Sequence, residues 1–196
     1  MTPWSEGRVR VLGIAIVGVA LAAVPASAHD GAFDAATGYR ISGYRGVVPG
    51  PPPGVARIDA KGVAALVDRG GALLIDVVPA EGGVRDAATG TWRLARPAVS
   101  IPGAAWFPEA GRGVPDPAIA RWFAGGVATL HRAHPRRAIV VFCLADCWMS
   151  WNAALRLSRA GYPRVLWFGE GADGWRDIGR TLVPVTPWSS KSKARS

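Results

Sequence analysis

The sequence predicts an α/β domain, a single central and mostly parallel sheet with helices on both faces. Three observations carry that prediction. Residues 72–77, 138–142 and 164–168 are apolar runs with the unbroken character of strands buried on both faces. Between them lie segments of helical period at 59–68, 116–134 and 149–160. Those segments carry start and stop signals: Asp59 and Asp116 as caps, with Gly70-Gly71, Pro135 and Gly161 as terminators.

In chain order, residues 1–28 read as a cleavable export signal. Arg8 and Arg10 form a basic n-region, Val11 to Val24 an apolar stretch of 14 residues, and Ala26-Ser27-Ala28 a small-residue cleavage site. The stretch is shorter than the roughly 20 residues of a spanning helix. Cleavage after Ala28, a periplasmic location and no stable membrane span in the mature chain are therefore expected. Loss of Arg8, Arg10 and Glu6 takes the formal charge from +9 to +8. The export signal and the scatter of the arginines argue against nucleic acid and leave an acidic or anionic partner as the fitting class.

Residues 29–54 form an extension in which Gly38-Tyr39-Arg40 recurs as Gly43-Tyr44-Arg45, ending in the stiff run Pro49-Gly-Pro-Pro-Pro-Gly54. It either docks through its tyrosines or stays a mobile arm. The α/β domain spans 55–183. Residues 55–58 start it as a short strand, Asp59 opens the first helix, and 72–77 is a buried strand. Residues 79–97 are a long loop with a small hairpin around Ala88-Thr-Gly90. Residues 99–105 are a further strand turning at Pro102-Gly103, and Asp116-Pro117 places a cap before a proline at the first helical position. After the strand 138–142 come the helix 149–160, the strand 164–168 and a last short helix at 172–178. Residues 184–196, with Lys191, Lys193 and Arg195, read as a basic, disordered tail.

The chemistry concentrates at Cys143-Leu144-Ala145-Asp146-Cys147-Trp148, which holds the only two cysteines of 196 residues. A thiol where a sheet strand hands over to a helix meets backbone N–H groups and the positive end of the helix dipole, which favour the thiolate. The carboxyl end of a strand in an open α/β sheet is also where ligands sit. Cys143 is thus the candidate nucleophile and Cys147 the resolving thiol, with Leu144, Ala145, Asp146, Trp148, Trp151 and Asp76 as candidate loop and pocket residues. Trp148 either walls the pocket or joins the core, whereas Trp167 and Trp175 belong to the core. Asp76 ends its strand beside the same sheet edge and fits a bond to loop backbone better than a base.

Two other readings of the cysteines stay open. A structural disulfide would close a loop too short to constrain the unfolded chain much. Metal would require His131 and His134 as well, but these end the helix before the strand, about 15–20 Å from the thiols, so no metal site is expected. A c-type haem is excluded because no histidine follows Cys147.

Ile75-Asp76-Val77, Ile101-Pro102-Gly103-Ala104, Val140-Val141-Phe142-Cys143, Ala160-Gly161-Tyr162, Glu170-Gly171 and Gly174-Trp175 occur in the order seen in rhodanese-like domains. The chain resembles that family over roughly residues 55–180, and the resemblance puts Cys143 at the position of the persulfide-forming cysteine. The string from Cys143 through Trp148 to Ala154 resembles a narrower group, the exported "PQQ-dependent catabolism-associated CXXCW motif" proteins. That likeness implies service to a periplasmic quinoprotein dehydrogenase system and a small sulfur or thiol substrate, with no defined cofactor beyond an unspecified redox association. Two departures stand out. Three residues separate the cysteines, and Asp146 replaces the cationic loop of sulfurtransferases, which argues against thiosulfate. The expected function is thiol–disulfide or persulfide chemistry at Cys143 and Cys147. The alternative is a non-catalytic module that binds or delivers a redox cofactor or a dehydrogenase.

Overall fold

The computed structural model describes Met1 and residues 31–190. The export signal, its cleavage site and the lysines and arginine of 191–196 lie outside the described residues. No helix among the described residues is long and apolar enough to cross a membrane.

Five parallel strands form the main sheet: β1 (Ala56–Arg57), β2 (Ala72–Asp76), β6 (Ala105–Trp106), β7 (Ala138–Phe142) and β8 (Val165–Phe168), in the order β1-β8-β7-β2-β6. Strand β7 is central and buried along its whole length, as its sequence Ala-Ile-Val-Val-Phe requires. Alternation along the strands divides the core in two. Leu73, Ile75, Ile139 and Val141 pack under α2 (Pro117–Ala133) and α3 (Trp148–Arg159), with Phe123, Val127, Ala153 and Leu157 facing them. Leu74, Val140 and Phe142 pack under α1 (Ala60–Asp68) and α4 (Gly171–Asp177), against Val63, Leu66 and Trp175. The sheet is therefore covered on both faces, as the sequence predicts.

The caps are where the sequence puts them. The Asp59 carboxylate accepts the Gly62 N–H at 2.8 Å, and Asp116 accepts those of Ala118 and Ile119 at 2.7 and 3.3 Å, with Pro117 as the first helical residue. Each cap contributes about 1 kcal/mol. The hairpin also forms, from β3 (Val84–Arg85) and β4 (Trp92–Arg93), its turn organised by Asp86 accepting the amides of Ala88 and Thr89.

Two expectations fail. The single strand expected over 99–105 is two strands in different sheets: β5 (Ala98–Ser100) pairs antiparallel with β9 (Val183–Val185), and only β6 joins the main sheet. The Pro102-Gly103 turn, with Gly103 at φ 80°, separates them. The tail expected to be disordered from residue 184 is ordered through Ser190. Beyond β9, Pro187 pairs with Trp106, the Trp188 N–H donates to Trp106 O at 2.7 Å, and the Trp188 ring stacks on Phe107 at 5.4 Å. One half-buried tryptophan packed on the core outweighs the polar composition around it.

The extension docks. Asn152 on α3, fully buried, accepts the Arg40 N–H at 2.9 Å and donates to the carbonyls of Arg40 (2.8 Å) and Gly111 (3.0 Å). Every polar atom of that amide is matched, which makes it an anchor rather than a cost. Tyr39 lies under the guanidinium groups of Arg156 and Arg159, at 4.7 and 5.1 Å.

Candidate active site

Asp76 and Phe142 pair in register, and the Val77 N–H donates to Phe142 O at 3.0 Å. The ends of β2 and β7 therefore lie side by side, and Cys143 begins the turn into α3. Cys147 is the N-cap residue of that helix. The two sulfurs stand 2.6 Å apart, inside non-bonded sulfur contact, with both cysteines free. The loop thus brings both thiols together. Cys143 is 0% exposed and Cys147 3%.

Their environments differ, and the difference bears on which of the two is the nucleophile. Burial is the largest influence on Cys143 and pushes its thiol well up; the Cys147 sulfur and the Asp76 carboxyl push the same way, against one hydrogen bond from the Leu144 amide. Cys147 is lowered to about 7. The hydrogen bond from the Cys143 thiol is the main cause; burial opposes it, and the Met149 amide and the Arg45 guanidinium add to the lowering. Within the pair the charged form is favoured at Cys147, at the helix start, with Cys143 as the buried partner that hydrogen-bonds to it. Of the loop amides, those of Leu144 and Met149 serve the sulfurs, and two others are committed elsewhere. The Ala145 N–H donates to the Asp173 carboxylate at 2.9 Å, and the Trp148 N–H to Tyr44 O at 2.8 Å.

Both cysteines lie at the floor of a cleft of about 780 Å³, Cys143 beneath its surface, lined also by Tyr44, Arg45, Leu144, Met149, Glu109 and Arg112 and by the loop 78–83. Arg45 comes from the extension. It forms an antiparallel bridge with Cys147, framed by Gly46 N–H to Asp146 O at 2.9 Å, and its Nη1 donates to Ala145 O at 2.9 Å. The cation missing from the sulfur loop thus arrives from about a hundred residues upstream. The Tyr44 hydroxyl accepts the Gly113 N–H at 3.1 Å and closes the rim.

The other candidates separate. Leu144 lines the cleft, and Ala145 holds Asp173 and Arg45 through its backbone. Asp146 sits at φ 51°, is exposed, and faces a different groove with Arg57 and Glu170. The carboxyl that acts on Cys143 is therefore Asp76, and Asp146, expected to argue against thiosulfate, is not among the residues that line the sulfur cleft. Trp148 and Trp151 do not wall the cleft. They form an edge-to-face cluster with Phe33, at 5.3 and 6.2 Å, and Trp148 carries the Arg40 guanidinium on its face at 4.7 Å. Asp76 is buried, accepts the Val78 N–H at 2.8 Å and the Ser100 hydroxyl, and is pushed up to about 7 by burial against those two bonds. It binds loop backbone, as expected. The His131 ring meets Tyr162 at 5.2 Å near the C-terminus of α2, at the opposite end of β7 from the sulfurs.

Gly171, at φ 57°, completes the site from below. A Cβ there would collide with the Cys143 carbonyl oxygen, which accepts the Ala172 N–H at 2.8 Å. Four contributors escaped sequence reasoning: Tyr44, Arg45, Ser100 and Asp173. Only the tandem Gly-Tyr-Arg carried a legible signal.

No protein-family model matches the chain, and no curated protein matches it. Among solved structures it is similar to a thiosulfate sulfurtransferase from Pseudomonas aeruginosa, at 23% identity over 68% of this chain and 21% of that one, with a TM-score of 0.45. It is also similar to the BH2092 protein from Bacillus halodurans, at 19% identity over 72% of this chain and 90% of that one, with a TM-score of 0.42. The chain spans about a fifth of the length of the Pseudomonas protein.

Proposed function

We propose that the protein is an exported, rhodanese-like thiol–disulfide redox protein in which Cys147 attacks and Cys143 resolves. The observation that carries this reading is the pair of sulfurs 2.6 Å apart at the base of a cleft, one of them lowered to about 7. A nucleophilic thiol works best with its pKa near the ambient pH. The Cys147 thiolate attacks one sulfur of a substrate disulfide. The substrate S–S bond breaks, one half leaves as a thiolate, and the other stays as a mixed disulfide on Cys147. The Cys143 sulfur then attacks the Cys147 sulfur, forms the internal bridge, and its proton passes to the departing second thiol. The protein dithiol is oxidised by two electrons and the substrate disulfide reduced to two thiols; the reverse sequence delivers oxidising equivalents.

The rhodanese-like frame is supported by where the ordered motifs fall. Ile75-Asp76-Val77 runs from the end of β2, Ile101-Pro102-Gly103-Ala104 makes the β5–β6 turn, Cys143 follows β7, and Glu170-Gly171 packs on its carbonyl. Periplasmic location and service to a quinoprotein dehydrogenase belong to the same proposal and rest on the leader and on the string from Cys143 to Ala154.

The test is a redox titration with alkylation of the remaining thiols, combined with trapping. A reversible internal bridge is expected, with Cys143→Ser accumulating a mixed disulfide on residue 147 and Cys147→Ser accumulating none. A bridge that resists reduction, or thiols that form no bridge at any potential, overturns the reading in favour of a binding module. A mass gain of one sulfur atom on a cysteine redirects it to persulfide carriage.

A further inference from the structure

The cleft beside the sulfurs holds three arginines, and they are not equivalent. Arg112 is paired with Glu109, and Arg96 with Glu81. Arg45 takes part in none of the ion pairs among the described residues, although it lines the cleft and lies across from Cys147 in the bridge that pins the extension to the sulfur loop. One of its Nη atoms is fixed on Ala145 O, so the guanidinium is held in place and not sweeping through solvent. Arg45 has no carboxylate partner and only the Cys147 sulfur as an anionic neighbour, so it is open to an anion on the substrate, and a guanidinium matches a carboxylate in shape. The cleft volume of about 780 Å³ is that of a small-molecule site and its sulfurs lie too deep for a flat protein surface to reach.

We infer that the substrate is a small thiol or disulfide bearing a carboxylate near its sulfur, with Arg45 as the residue that binds the carboxylate. The inference rests on the proposed dithiol chemistry at Cys147. It makes the extension part of the substrate site: the second Gly-Tyr-Arg supplies the specificity-determining charge.

Three small symmetric disulfides that differ chiefly in charge provide the test: dithiodipropionate with two carboxylates, cystamine with two ammonium groups, and hydroxyethyl disulfide with none. The rate of oxidation of the reduced, full-length protein is measured with each, in wild type and in Arg45→Met and Arg45→Lys. Wild type should react about tenfold faster with the dianion than with the dication at low ionic strength. The ratio should shrink with added salt and collapse in Arg45→Met, with partial return in Arg45→Lys. Using the ratio of rates cancels the loss of thiolate that Arg45→Met also causes. Equal rates with all three reagents in wild type overturn the inference and leave the dithiol reading standing. A preference that survives in Arg45→Met overturns the assignment to Arg45. If no reagent reacts, the dithiol reading itself falls. Where Arg45→Met folds poorly, Arg45→Gln carries the same comparison of rates.

Discussion

The two banks of the sulfur loop are physically opposite. On the strand side, Cys143 and Asp76 are sealed by the sheet, and burial holds both groups toward their neutral forms. On the helix side, Cys147 takes the hydrogen bond from Cys143 and has the Met149 amide and Arg45 around it, and the charged form is favoured. Four residues of chain carry a site from one regime to the other. The difference teaches that a pair of thiols becomes asymmetric through the hydrogen bond between them and through unequal surroundings, one favoured as an anion and the other as a proton donor.

Asp76→Asn tests the strand bank most strongly. An unfolded aspartate loses its proton near pH 4, whereas folded Asp76 keeps it up to about 7. The folded state binds the extra proton in that window, so this site's contribution to stability falls as pH rises from 4 to 7, by up to about 1.4 kcal/mol per pH unit. Chemical denaturation across that range should show the slope in wild type and lose it in the asparagine variant. Cys147 has the opposite sign. Its folded form ionises first, so its contribution grows with pH from about 7 towards the ordinary thiol range.

Asn152→Ala should come next, at about 3 kcal/mol, because it strands the Arg40 N–H and two carbonyls at once. Denaturant unfolding gives the loss, and faster proteolysis within residues 31–54 shows that the extension has lifted. Arg45→Met should barely alter stability but raise the pH at which Cys147 ionises, followed by thiolate absorbance. The smallest effect belongs to Arg40→Met, about 1 kcal/mol from the lost contacts with Phe33 and Trp148. It should leave the Cys147 titration unmoved. If Arg40→Met and Arg45→Met shift that titration equally, the two banks are coupled through the whole extension and not through one guanidinium.

Much of the frame was legible because the signals are local. The run 138–142 can only be a buried strand, and Asp59 and Asp116 carry their capping chemistry in the side chain. The loop between the cysteines was found for the same reason. What stayed hidden depends on distant partners or on a single dihedral. The φ of 51° at Asp146 turns its carboxylate away from the thiols, and nothing in the letters around it sets that sign. The thiolate sits at Cys147 partly through Arg45, about a hundred residues away in sequence. Trp188 hid within a polar, basic stretch, where composition averages away one anchoring ring.

The bond from Trp148 N–H to Tyr44 O has a practical bearing on how the molecule can be divided. A fragment starting at Val55 would keep all five strands of the main sheet and both cysteines, so a far-ultraviolet spectrum would pass it as intact. It would nonetheless present a helix with its first amide uncovered and a sulfur stripped of its neighbouring guanidinium. Truncated versions that begin after the proline run would report the behaviour of a scaffold, and assays should use chains that start no later than Ala32.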